Sequence, residues 1–294
     1  MPKALVNGVN LYYEIHGTGV PLILCHEFAG DYRSWDSQVK CFARRYQVVT
    51  YNARGYPPSD VPEHVGAYSQ EIATDDIAGL LRALKLPRAH ICGLSMGGYA
   101  TLHFGLRYPE MALSLVVAGC GYGSVSGDRE RFQKDVEATA ARMEREGMRV
   151  VAEDYSRGPT RVQYERKDPK GWREFAEQLK EHSDKGAAQT FRGVQMRRPS
   201  VFELEGPMRK LQLPTLVVTG DEDDPCLDPG IFMKRCIPTA GLLVIPISGH
   251  TINLEEPEAF NRGVLDFLAA ADAGKWPKRD PRSMSASAIL PGKK

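Results

Sequence analysis

The sequence predicts an α/β fold: a mostly parallel central sheet flanked by helices and interrupted by an inserted helical cap. Three observations carry that prediction. Short, continuous apolar runs recur along the chain, each ending in glycine or polar residues. Segments with apolar residues at helical spacing lie between them. The alternation breaks off for one long charged stretch and then resumes. Continuous apolar runs suit strands covered on both faces, as in a parallel sheet with helices on either side.

Ala4-Leu5-Val6, a turn at Asn7-Gly8, and the run from Val9 to Ile15 read as an opening hairpin. Strands follow at Pro21 to Cys25, Tyr46 to Tyr51, His90 to Gly93 and Leu113 to Gly119. Ile72 to Leu84 has its apolar residues on one helical face, and a second helix starts after Ser95 and stops near Tyr108, before Pro109. From 123 to 207 the chain is charged and helical. Phe132, Val136 and Met143 mark one apolar face there, and Trp172, Phe175 and Leu179 mark another. Strand patterns return at Leu213 to Gly220 and Gly241 to Pro246, and a last helix runs from Pro257 to about Ala270. The expected organisation is therefore a core in two parts, 1–122 and 208–272, a cap over 123–207, and a polar, disordered tail over 273–294.

Composition excludes several classes. The chain has 294 residues, 42% hydrophobic and 26% charged, with a formal net charge of +1. Neither charge sign dominates, so nothing argues for a nucleic-acid partner or an anionic membrane. No apolar run reaches membrane-spanning length, and the N-terminus lacks the apolar region of a signal peptide. The six cysteines are scattered, without a CxxC pair or other metal-ligand spacing. They suit a reduced, cytoplasmic location and no metal.

Gly93-Leu94-Ser95-Met96-Gly97-Gly98 joins a predicted strand to a predicted helix. A nucleophilic serine needs a tight turn that projects its Oγ into a cleft, with glycines leaving room on both sides. The helix that follows turns its amide dipoles toward a developing oxyanion. Seven histidines compete for the role of base. His250 stands out because Ser248-Gly249-His250-Thr251 follows the last strand, and loops after parallel strands emerge at one sheet edge. His103 is carried away by its own helix, and His90 lies at the wrong end of its strand. The acid is sought in Gly220-Asp221-Glu222-Asp223-Asp224, after the preceding strand. Asp223 has room to turn back over the sheet edge; Asp221 and then Asp224 stay open as alternatives.

With these residues placed, the chain resembles the α/β-hydrolase superfamily, in its helical-cap subgroup, over about residues 5–271. The serine elbow and the stretch from Ser248 to Phe260 carry the resemblance. It implies an acid three residues after the glycine that ends its strand, which is Asp223. It also implies oxyanion donors at the backbone amides of Phe28, in His26-Glu27-Phe28-Ala29-Gly30, and Met96. Glu27 stands where the family usually has glycine. It is expected to turn away and pair with a basic residue such as Arg33 or Arg54. Asn52-Ala53-Arg54-Gly55-Tyr56-Pro57-Pro58-Ser59-Asp60 departs from the family's turn and reads as a rigidified structural loop.

Serine at the elbow, rather than aspartate, points to acyl transfer. The expected activity is that of a carboxylesterase without cofactor, acting on a small ester, with polyester chains left open. The alternatives are lactone, thioester or carbon–carbon hydrolysis, perhydrolysis, or a slow ligand-binding relative, for which Glu27 is the main support. Tyr155, Tyr164, Trp172, Phe175 and Phe191, with Glu27, are the candidate substrate contacts.

Overall fold

A computed structural model describes residues 2–284. It contains eight strands: β1 (Lys3–Val6), β2 (Val9–His16), β3 (Val20–Cys25), β4 (Tyr46–Tyr51), β5 (Ala89–Leu94), β6 (Ala112–Ala118), β7 (Thr215–Gly220) and β8 (Ala240–Ile245). They form one sheet in the order β1-β2-β4-β3-β5-β6-β7-β8. β1 and β2 make the hairpin, β2 runs antiparallel to β4, and every pairing from β4 to β8 is parallel. All eight strands coincide with the runs expected from the sequence.

The apolar runs are continuous because helices cover both faces. Alternate strand side chains point to opposite sides. Ile23, Val49, Ile91, Val117 and Val217 pack with α2 (Gln70–Ala83), α3 (Met96–Arg107) and α10 (Asp224–Cys236). Their neighbours Leu24, Val48, Cys92, Val116 and Val218 pack with α1 (Asp36–Phe42) and α12 (Pro257–Asp272).

Between β6 and β7 the described chain is helical: α4 (Arg129–Glu146), α5 (Met148–Tyr155), α6 (Val162–Lys167), α7 (Pro169–Leu179), α8 (Asp184–Thr190) and α9 (Glu205–Met208). Their apolar faces form a third cluster, in which Val136, Met143, Trp172, Phe175 and Leu179 are buried together with Phe28, Tyr56 and Met96 from the sheet's loops. That shared cluster seats the helices on the edge where the parallel strands end. α11 (Ile252–Glu255) completes the set. Among the described residues, no helix is long and apolar enough to cross a membrane.

The chain stays attached past α12. Trp276 packs edge-on against Phe267, and its indole nitrogen donates to Thr239 O at 2.8 Å. The expectation of an unpatterned tail from 273 overlooked this anchor; residues 285–294 lie outside the described residues.

Candidate active site

The parallel strands fix where the functional side chains meet. From β3 the chain steps to β4 on one side and returns to β5 on the other, so β3 and β5 flank a reversal in strand order, where ligand clefts form. Ser95 follows β5 directly, at φ 55° and ψ −111°. A non-glycine residue at positive φ is strained by about 1–3 kcal/mol, and such strain is stored where a structure over-determines it. Here the constraint is tight. A β-carbon on Gly93 would lie 2.1 Å from Gly97 O, and one on Gly97 would lie 2.0 Å from Cys25 O. Only glycine lets the start of α3 approach the end of β3 this closely.

His250 Nε2 lies 2.8 Å from Ser95 Oγ, and His250 Nδ1 lies 2.8 Å from Asp223 Oδ2. The histidine loop is held from behind by the buried Glu255 carboxylate. It accepts from Gly249 N at 2.5 Å, Thr251 N at 2.8 Å and Thr251 Oγ1 at 2.8 Å. The neighbouring acids are excluded by their positions. Asp221 is exposed and accepts from Ser248 N, and Asp224 is exposed at the start of α10. Asp223 alone is buried against the imidazole. His90, at the opposite end of β5, bonds Ser114 Oγ and Asp272.

Burial by itself would lower the His250 pKa, but the Asp223 charge and hydrogen bond win and raise it above the usual 6.5. Burial would raise Asp223, and His250 again outweighs it and brings the carboxyl below its ordinary value. The trio Asp223, Cys226 and His250 could in principle hold a metal ion. Burial keeps the Cys226 thiol protonated and the imidazole is engaged at both nitrogens, so these atoms work as a hydrogen-bond cluster.

The Phe28 and Met96 amides find no protein acceptor among the described residues. Tyr56 braces both residues: its hydroxyl donates to Phe28 O at 3.0 Å and lies 3.9 Å from Met96 Sδ. Glu27 is buried, and its φ is not positive, so no strain arises there. It turns from the cavity and pairs with a basic residue, though with neither Arg33 nor Arg54. Arg33 is taken by Asp31 and Glu181, and Arg54 by Asp76. Glu27 Oε2 instead accepts from Arg161 Nη2 at 2.6 Å, and both side chains are almost wholly buried. Arg161 comes from the helical segment, which sequence spacing alone could not bring to position 27.

Ser95 and His250 open onto a cavity of about 460 Å³. Phe28, Tyr122, Phe132, Tyr155 and Phe191 supply its apolar walls. Two of the candidate contacts, Tyr155 and Phe191, thus line the cavity. Tyr164, Trp172 and Phe175 do not line it. Tyr164 packs on Phe175, and the Trp172 indole donates to Ser156 O at 2.7 Å, so these three form the interior of the helical layer. Gln195 and Arg198 line the cavity and were missed; nothing in Gln195-Met196-Arg197-Arg198-Pro199 marks them out.

The chain belongs to the alpha/beta hydrolase family, whose model matches residues 15–262. It is 25% identical over 244 residues to 3-oxoadipate enol-lactonase 2 of Acinetobacter baylyi, covering 83% of this chain and 86% of that protein. Among solved structures it is similar to a thermophilic esterase from Thermogutta terrifontis, with malate bound, at TM-score 0.82 and 26% identity, over 92% of this chain and 98% of that one. The enol-lactonase of Burkholderia xenovorans shares the fold at TM-score 0.79 and 24% identity, over 91% of this chain and 100% of that one.

Proposed function

We propose that this hydrolase cleaves carboxylic esters, cyclic esters included, through an acyl-enzyme on Ser95. The observation that carries the proposal is the hydrogen-bonded line Ser95–His250–Asp223 opening onto the cavity. His250 takes the Ser95 proton as Oγ attacks the carbonyl carbon, and Asp223 holds the imidazole in the required tautomer. The free amides of Phe28 and Met96 receive the negative oxygen of the tetrahedral intermediate. Collapse expels the alcohol with the proton from His250; water then repeats the sequence and releases the acid. The segment 123–207 acts as a cap that roofs the pocket. Likeness to an esterase and to enol-lactonases supports both open and cyclic esters as substrates. The same reading places the protein in a reducing compartment, a view supported by six free cysteines of which five are buried.

The test is a fluorophosphonate probe with a panel of p-nitrophenyl esters and lactones. One covalent adduct is expected on the peptide holding Ser95, together with a burst of nitrophenol. Stoichiometric labelling elsewhere, or no turnover across the panel, would overturn the proposal.

The pH profile is a second expected outcome. A general base must be neutral, so kcat/KM rises with pH through a limb centred above the usual 6.5, because Asp223 raises His250. Stability moves the other way. The ion pair of charged His250 with Asp223 stabilises the fold below the unfolded histidine pKa and is lost as pH rises through the folded value. Asp223→Asn removes the raising charge and shifts the limb to lower pH. A limb that moves upward or stays put in that variant would assign it to another group.

A further inference from the structure

We propose that the cavity takes an ester or lactone that also carries a carboxylate, and that Arg198 is the residue that receives it. The inference rests on the serine-hydrolase reading and names its substrate class.

Arg198 is 2% exposed and lines the same cavity as Ser95 and His250. Its guanidinium lies over the Tyr99 ring at 3.7 Å, and Nη2 donates to Tyr122 O at 2.9 Å. Among the described residues, Nε and Nη1 have no acceptor. No carboxylate forms an ion pair with it among the described residues. The other deeply buried arginines differ: Arg161 has Glu27 and Arg54 has Asp76. A buried cation left without a counter-ion is costly, and the cost falls when a ligand supplies the anion. Burial pulls the Arg198 pKa below the usual arginine value, as a missing counter-ion demands.

The neighbourhood adds to this. Among the described residues, Arg129, beside it, also has only carbonyl partners, Gly123 O and Arg198 O. The acidic residues of the cavity, Asp128, Asp135 and Asp224, are exposed. Asp128 is paired with Arg131, and water screens all three. The positive charge is therefore deep and the negative charge superficial.

Local backbone presents Arg198 to the cavity. Phe191–Gln195 forms a π-helical turn, a feature frequent at functional sites. Its wider winding puts Phe191 and Gln195, and then Arg198, on the cavity wall. Tyr99, beneath the guanidinium, bonds through its amide to Ser95 O at 2.9 Å. Tyr99 follows the nucleophile by one helical turn, so the cation and Ser95 are presented by the same short stretch of α3. Because Arg198 and Ser95 line one cavity, a molecule reaching both carries an ester and a carboxylate, as in the hemi-ester of a dicarboxylic acid.

The experiment compares p-nitrophenyl hydrogen glutarate with p-nitrophenyl valerate, which differ in a terminal carboxylate against a methyl group. Wild type is expected to favour the acid ester in kcat/KM. In Arg198→Met the acid-to-neutral ratio should fall by at least about tenfold, chiefly through KM, and Arg198→Lys should recover part of it. A merely structural arginine would lower both rates together; an unchanged ratio in Arg198→Met overturns the proposal. Glutarate and glutaramide provide a separate arm by thermal shift, independent of turnover and of whether Arg198→Met folds. Wild type raised by glutarate and not by glutaramide supports the site even if neither ester is cleaved, in which case only the hydrolase reading fails. Wild type indifferent to glutarate, with no acid preference, overturns it.

Discussion

Ser95→Ala lowers kcat on any ester turned over by wild type by at least about four orders of magnitude, because nucleophile and base act as one unit. The expectation follows from geometry. His250 Nδ1 meets the Asp223 carboxylate and Nε2 meets the serine hydroxyl, each at 2.8 Å. His250→Ala should cost about as much, and the double variant no more than either single one. Asp223→Asn should cost about two to four orders of magnitude, since the amide favours the wrong tautomer. Melting temperature should stay close to wild type in Ser95→Ala, whose methyl meets the same backbone strain as the serine. Activity within tenfold of wild type in Ser95→Ala, measured on purified protein free of host esterases, would contradict the assigned nucleophile.

Glu27→Ala is the variant expected to damage the fold most. It strands the Arg161 guanidinium, 1% exposed, without its carboxylate. Removing one partner of a buried pair typically costs about 3–5 kcal/mol, because the remaining charge keeps its desolvation penalty. For a chain of this size that is a fall in melting temperature on the order of 10 °C. Replacing both partners, as in Glu27→Leu with Arg161→Met, should restore most of the loss. Differential scanning calorimetry of the three proteins decides the matter; a Glu27→Ala protein that melts with wild type would show the pair to be energetically idle. The pair also links the loop carrying Phe28 to the segment lining the cavity, so activity in Glu27→Ala should fall beyond what unfolding explains.

Much of this architecture was legible because it is local. Each strand is a contiguous apolar run, the elbow is six consecutive residues, and His250 lies in a loop whose sheet edge follows from parallel connectivity. Asp223 was half legible. Position favoured it, but choosing it over Asp221 and Asp224 physically required knowing that Asp221 turns to the Ser248 amide and Asp224 opens a helix. What was not legible depends on distant packing. Glu27 finds Arg161 across 134 positions. Trp172 and Phe175 carry the signature of any buried aromatic, and only the folded layer shows that they face one another's neighbours rather than the cavity. Arg198 looks like a surface charge in a basic stretch until Tyr99 and Tyr122 are seen beneath it.

The Glu27–Arg161 contact has a mechanical corollary. Wherever the helices above the cleft breathe, they are latched to its floor at that corner, since prying them apart there means rehydrating two charges at once. Guests must enter by a path that leaves the latch closed.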